Sequence, residues 1–387
     1  QRMDQCMEIN MISPSIGRTL QRHIPAIGDL DSKSPLAYRL SRGTVPVINT
    51  IQMAVAEAYI NGLEVPDAVL RSLFETCMPI FFKYFPSLLA PYDWVLTETP
   101  HVAEGPRDLM KLQYDLPQGM LNRMLGDGPL IYPKYSMGLW EKGAINLEQS
   151  QIHMMDDMIA KLGIQDGDRI LDFGCGWGCV PNYILSKFPN VQMTGLNLSH
   201  EQCEYIRNKM TDSESYLSSG RFQLFEGDLN DASFTEPFDK ILSVGVFCHV
   251  GNLTQAFQKL STFLKPLGKV FIHIITVRTP NNISSAYTHK YIFPHGRYWN
   301  FDAVPNCDRD LKTIDRWYMN GTNYSQTFAT WLQNFDRVQD EIRSLNYGID
   351  YDRFRRIWRF YLIWFVANFA SCDGEINGNG QYLLERR

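Results

Sequence analysis

The chain has 387 residues, 44% of them hydrophobic, enough for a catalytic domain of ordinary size plus a substantial second module. A formal net charge of −5 and the lack of any lysine- or arginine-rich run argue against an electrostatic grip on nucleic acid, which leaves a small molecule as the expected partner. No uninterrupted apolar run reaches the roughly 20 residues needed to span a bilayer, so no transmembrane segment is expected.

Residues 1 to about 45 show little periodicity and read as irregular structure or short helices. From Val45 to about Leu89 apolar residues recur at helical spacing (Ile48, Ile51, Val55, then Leu70, Phe74, Met78), which predicts a small helical module within an N-terminal segment 1–105. The apolar run Met78–Leu89, interrupted by Lys83 and Pro86, reads as a buried helix, with peripheral lipid docking left open. Pro91–Pro106 reads as a connector. Helical patterns follow over Leu109–Leu125 and Leu147–Leu162.

The grammar then changes. Short apolar runs at Arg169–Phe173, Val191–Leu196, Phe222–Glu226, Lys240–Val246 and Lys269–Ile275 alternate with helical stretches at Val180–Phe188, His200–Met210 and Leu253–Leu264. That alternation predicts an α/β core over 106–275 with a doubly wound, mostly parallel sheet. Residues 276–387 read as a cap: an aromatic-rich insert to about 325, helices at Gln326–Leu345 and Asp350–Phe369, and a last edge strand at Gln381–Arg387. The eight cysteines are scattered without paired metal-ligand spacing, so no metal is expected, and free thiols fit a reducing cytoplasm. Nothing in the pattern specifies an oligomeric state.

Directly after the first strand, Asp172-Phe-Gly-Cys-Gly-Trp-Gly178 places glycines at alternate positions before a helix. Glycine there lets the backbone turn tightly and come close to a ligand, although a merely flexible turn has the same composition. The spacing is not the Gly-x-Gly-x-x-Gly of dinucleotide folds, and Asp172 suits a cationic amino-acid group better than a pyrophosphate, so the expected ligand is a nucleoside with a zwitterionic tail. Asn197, Asp228 and Gly245 recur at the carboxyl ends of the next three strands, where open α/β sheets bind ligands.

Tyr135-Ser136, Asn146-Leu-Glu-Gln-Ser-Gln151, Leu171–Gly178, Val191–Ser199 with Gln202, Ser243–Gly251 and Asn323–Trp331 together resemble the cyclopropane fatty-acid synthase family, over about residues 107–387. That family includes lipid-modifying enzymes, mycolic-acid methyltransferases and plant coclaurine-type amine N-methyltransferases. The resemblance implies a class I (Rossmann-like) methyltransferase that uses S-adenosyl-L-methionine. It implies that Tyr135 and Ser136 close over the methionine end, that Gly174 and Gly176 line it, that Asn197, Leu198 and Gln202 surround the ribose, and that Asp228 and Leu229 flank the adenine. Leu198 and Leu229 have an equally simple reading as core leucines.

In the cyclopropanating relatives a bicarbonate base is held at positions that read Met137, Cys248, His273, Ile275 and Tyr324 here, and two of the five differ from the family pattern. Met137 offers no thiol and Cys248 replaces a glutamate acceptor, which predicts methyl addition without ring closure. The amine methyltransferases use that glutamate and the adjacent histidine, and only His249 of the pair survives.

His249 is therefore the expected base or orienting group, against a reading as a histidine capping a strand end. His273, inside an apolar strand, is either a second catalytic residue or a satisfied core histidine. Cys248 is expected to line the pocket rather than act as a nucleophile. Trp140 and Tyr324 are expected pocket members because they sit in segments that match the family. The leading expectation is N-methylation of a small amine in an aromatic-lined pocket. C-methylation or cyclopropanation of an alkene in a lipid or prenyl chain would instead require a long apolar channel, and a cofactor-binding module without catalysis is a third reading.

Overall fold

A computed structural model of the chain describes residues 35–79, 102, 116–278, 285–294 and 296–387. The first helices are α1 (Pro35–Ile60), α2 (Asp67–Pro79), α3 (Gln118–Leu125) and α4 (Leu147–Leu162). The core follows as β1 (Arg169–Phe173), α5 (Cys179–Lys187), β2 (Gln192–Asn197), α6 (His200–Met210), β3 (Phe222–Glu226), β4 (Phe238–Val244), α7 (Leu253–Thr262) and β5 (Leu264–Val277). The remainder holds α8 (Ala286–Tyr291), β6 (Trp299–Asn300), α9 (Ala303–Asn306), β7 (Leu311–Met319), α10 (Gly321–Arg337), α11 (Gln339–Ile342), α12 (Tyr351–Ala370) and β8 (Asn377–Arg386).

Local chemistry sets several of these boundaries. The side chain of Asn146 accepts from the amide of Gln149 to start α4, and Gly163, at φ 68°, ends it in a left-handed cap. Ser199 and Asn252 cap α6 and α7 in the same way.

The strands form one sheet in the order β3-β2-β1-β4-β5-β8-β7, with β6 paired to β5. β1 to β5 run parallel, and β8 is antiparallel to both β5 and β7. Strand order reverses between β1 and β4, so the crossovers leave on opposite faces there and open a crevice at the strands' carboxyl ends. The period of two in β5 sends Val270, Ile272 and Ile274 to one core and Phe271 and Ile275 to the other.

The structure corrects three readings of the pattern. A 26-residue helix begins at Pro35, inside the segment expected to hold irregular structure or short helices, whereas residues 1–34 and most of Met78–Leu89 and Pro91–Pro106 lie outside the described residues. The insert beyond Thr276 holds the nine-residue strand β7, whose charged Asp315 and Arg316 and irregular register suit an outer edge. The last strand is consequently internal, between β5 and β7, and it begins earlier than expected, at Asn377. Its Asn-Gly-Asn-Gly start reads as a turn but is buried. A Cβ at Gly378 would fall 2.4 Å from the Met319 carbonyl oxygen, so close strand approach requires glycine there.

The helices α1 and α2 pack on α12. Phe74 meets Phe360 and Trp364 edge-on at 5.6 and 4.8 Å, and Tyr59 lies 5.7 Å from Phe360. Beside them Arg359 donates from Nε to Asp336 Oδ1 at 2.6 Å, from Nη2 to Asp67 Oδ2 at 2.7 Å and from Nη1 to the Tyr59 hydroxyl at 3.0 Å. One guanidinium thus ties α1, α2 and α10 to α12. Replacement Arg359→Met is expected to cost about 1–3 kcal/mol in denaturant unfolding, less than a fully buried pair because both carboxylates keep some solvent. Arg359→Lys, without the planar fork, should recover only part of that loss.

Candidate functional site

A cavity of about 190 Å³ opens at the carboxyl ends of β1, β2 and β4. All eleven residues expected to hold the cofactor stand on its wall: Tyr135, Ser136, Asp172, Gly174, Gly176, Asn197, Leu198, Gln202, Asp228, Leu229 and Gly245. The glycine turn makes this possible. Gly174 has φ +81°, and a Cβ on it would fall 2.1 Å from Cγ2 of Val246. Only a hydrogen fits that approach.

The wall is cross-linked by its own polar groups. The amides of Gly174 and Cys175 both donate to the Leu196 carbonyl, at 2.9 and 3.1 Å, which joins the glycine turn to β2. Asn197 Nδ2 donates to the carbonyl of Gly176 at 2.9 Å and to Gln202 Oε1 at 3.1 Å. Asp228 accepts from the backbone and side chain of Asn230, both at 2.8 Å. Tyr135 lies with its hydroxyl 3.0 Å from that of Tyr361 on α12, so the lead-in segment and the cap meet over this cavity.

Two charged residues on the wall are withdrawn from water. Asp172 is 1% exposed, its Oδ2 has no hydrogen-bond partner, and burial pushes its carboxyl up to about 8. Lys134 is 5% exposed, and burial lowers its ammonium to about 8. Sequence reasoning did not single out Lys134, although it directly precedes Tyr135. Its Nζ donates to Ser136 Oγ at 2.7 Å and to the Met137 carbonyl at 3.0 Å.

A second, smaller cavity of about 40 Å³ adjoins the first. Phe293, Tyr298 and Trp364 supply aromatic walls, and Ser285, Thr288, His289, Arg297 and Asn368 supply polar ones, with Cys248 and Ile275. His249, on a short 3₁₀ turn after β4, lines both cavities. Its ring stacks at 5.8 Å on Phe293, and burial lowers its imidazole to about 4, so it is neutral at pH 7. The insert holds this turn in place, since the amide of Arg297 donates to the Cys248 carbonyl at 2.7 Å and Trp299 Nε1 to the Phe247 carbonyl at 2.9 Å. Cys248 lines the second cavity as a neutral thiol, raised to about 12 by burial.

Four other expected site residues stand behind the walls of both cavities. His273 is fully buried, with Nε2 2.9 Å from Asn379 Nδ2 and Nδ1 3.2 Å from Gln381 Nε2. Both partners belong to β8, so the ring is engaged within the sheet, and burial depresses its pKa to about 3. Tyr324 sits in an aromatic cluster, 4.7 Å from Phe328 and 4.6 Å from Phe369, and burial pushes its phenol up. Met137 is fully buried. Trp140 donates from its backbone to Asn323 Oδ1 at 2.7 Å and from Nε1 to Thr327 Oγ1 at 3.0 Å, which fastens it to α10. The period-two pattern of β5 and the helical pattern of α10 do not distinguish a cavity wall from the layer behind it.

Asp172 has a consequence for stability. The folded carboxyl keeps its proton to about 8, against an ordinary value of 3.8, so between those values the folded state binds more protons than the unfolded state and stability falls as pH rises. Asp172→Asn removes this penalty. The variant is expected to melt a few degrees above the unliganded wild type at pH 8, with the difference closing toward pH 4, in thermal scans across that range.

The family model described as mycolic acid cyclopropane synthetase matches residues 104–377. Cyclopropane-fatty-acyl-phospholipid synthase of Escherichia coli (strain K12) is 30% identical over 265 residues, 68% of this chain, and the chain spans only 64% of that enzyme's length. (S)-coclaurine N-methyltransferase of Papaver somniferum is 28% identical over 258 residues, 64% of this chain and 71% of the relative. Among solved structures, coclaurine N-methyltransferase bound to N-methylheliamine and SAH matches with a TM-score of 0.74 at 20% identity, covering 87% of this chain and 100% of that one. The cyclopropane synthase MmaA2 from Mycobacterium tuberculosis matches at 0.61 and 23% identity, over 74% of this chain and 99% of that one. The shared architecture is the class I methyltransferase fold.

Proposed function

The chain belongs to the mycolic acid cyclopropane synthetase family, and we propose that it is an S-adenosyl-L-methionine-dependent methyltransferase that N-methylates a small amine. The larger cavity fits the donor: Asp172 keeps an unsatisfied carboxyl oxygen for an ammonium group, and the glycine turn is bare enough for close contact. When bound, the donor supplies an electrophilic methyl group on a sulfonium.

The observation that carries the amine reading is the second cavity. As the described residues line it, it is compact, and polar groups stand among its aromatic walls, whereas an acyl or prenyl chain requires a long apolar channel. Phe293 and Tyr298 line this cavity, so aromatic rings stand beside the cation formed as the amine is alkylated. His249 stands where the two cavities meet and is neutral at pH 7, so it can accept a hydrogen bond from the amine N–H and aim the nitrogen lone pair, while the methylated ammonium gives its proton to solvent. Methyl transfer itself is an in-line displacement that needs alignment and exclusion of water, which the joined cavities supply.

The residues at the bicarbonate positions support addition without ring closure. Met137 is buried behind the wall, the Cys248 thiol is given to the Gly245 carbonyl at 3.2 Å, and the ring nitrogens of His273 face β8. None of the three offers an anion the hydrogen bonds that would hold it. Among the described residues no disulfide joins two cysteines, and a reducing, cytoplasmic location is part of this proposal. Among the described residues, no helix is long and apolar enough to cross a membrane.

The test is purified protein with methyl-labelled donor and separate pools of amines, phospholipids and prenyl diphosphates, followed by mass analysis. Label is expected in the amine pool, and label confined to lipid overturns the reading. His249→Asn is expected to lower kcat by about tenfold to a hundredfold, the scale on which misplacing a reacting group costs rate. Because the imidazole titrates near 4, the wild-type pH–rate profile should show no inflection between pH 5 and 7 that is lost in this variant.

A further inference from the structure

Lys134 is a buried cation with no counterion among the described residues. It is 5% exposed, it stands on the wall of the larger cavity, and among the described residues no carboxylate lies within ion-pair distance of it. Its two hydrogen bonds go to neutral acceptors, the Ser136 hydroxyl and the Met137 carbonyl, and an ammonium group has a third N–H to give. Burying a charge in this way is costly unless something opposite in sign arrives. Asp172 is the mirror case, since its Oδ2 is buried on the same cavity wall without a donor. The two do not pair with each other, although both act on the Cys179 thiol of the same wall, which burial raises first: Lys134 lowers its pKa and Asp172 raises it.

A cavity with one unmatched cation and one unmatched carboxyl is complementary to a zwitterion. The free amino-acid end of a methyl donor carries an α-ammonium and an α-carboxylate on one carbon atom. We propose that Lys134 receives the α-carboxylate of the donor's amino-acid end, while Asp172 receives its α-ammonium. This rests on the reading that the larger cavity binds S-adenosyl-L-methionine, and it adds a specificity-determining residue to that site. Ser136 orients the lysine by accepting one of its protons, so the hydroxyl acts through Lys134.

The assignment predicts which part of the ligand each variant reports. In calorimetry, Lys134→Met is expected to weaken S-adenosylhomocysteine binding by about ten- to a hundredfold, the scale of one charge-assisted hydrogen bond. Decarboxylated S-adenosylhomocysteine, which keeps the ammonium and the nucleoside, should bind the wild type and this variant with similar affinity. Lys134→Arg, which keeps the charge, should retain part of the discrimination. The unliganded Lys134→Met protein should melt no lower than wild type, because the change removes an unpaired buried charge.

Wild-type protein supplies an independent measurement. Lys134 loses its proton near 8 when unliganded, so the preference for S-adenosylhomocysteine over its decarboxylated analogue should fall as pH climbs through about 8. Equal weakening of both ligands by Lys134→Met, no weakening of either, or a preference flat with pH overturns the assignment while leaving the cofactor reading intact. Failure of the wild type to bind S-adenosylhomocysteine at all overturns the cofactor reading and the assignment together.

Discussion

The site depends on how closely the β1 turn approaches its neighbours at the sheet's reversal point. The Gly174 amide donates to the Leu196 carbonyl while its Cα packs under Val246, so one residue is held by the strand on each side. A side chain at that point would push β4 away from β1 and fill the space the ligand needs. From this contact follow the positions of Asp172 at the end of β1, Asn197 at the end of β2 and the turn after β4 that carries His249. The larger cavity is the gap these strand ends leave, and the smaller one lies on the far side of His249.

Desolvation dominates the electrostatics of both cavities. It raises Asp172 and Cys248, lowers Lys134 and His249, and so moves each of them toward its neutral form. For His249 and Cys248 the outcome is a neutral group at pH 7, able to accept a hydrogen bond in one case and inert in the other. Lys134, at about 8, still carries most of its charge at pH 7 and keeps that cost in the unliganded protein, whereas Asp172, also at about 8, holds a proton that it gives up when an ammonium group enters. A binding site that stores unmatched charge in this way gives up some stability in exchange for selectivity toward a zwitterion.

The cap completes the second cavity and is itself held from outside. Arg297 and Trp299 bond to the backbone of the turn that carries His249, and Tyr287 donates to the Ile357 carbonyl at 2.6 Å, which ties α8 to α12. Ser285 donates to Gln52 on α1 at 2.8 Å, so the N-terminal helices buttress the same region from the opposite side. The Arg359 network carries that support into α10 and α12. Changes in the N-terminal helices therefore reach the acceptor side through packed elements, with no contact to the chemistry.

The sequence by itself determined the α/β core, because alternation between short apolar runs and helical patterns is a local property: α6, β1 and β3 lie where periodicity places them. It also determined the wall of the larger cavity, since residues at strand ends and in the glycine turn share a crevice once the sheet order is set. Tertiary structure alone decided the rest. His273 and Tyr324 have the composition of site residues but are turned toward β8 and an aromatic cluster, a matter of which neighbour covers each face. β8 became internal because β7 pairs with it over a long separation in sequence, with Met319 opposite Asn379, a pairing invisible to local periodicity. Lys134 gained its meaning only when folding removed its water without supplying a counterion.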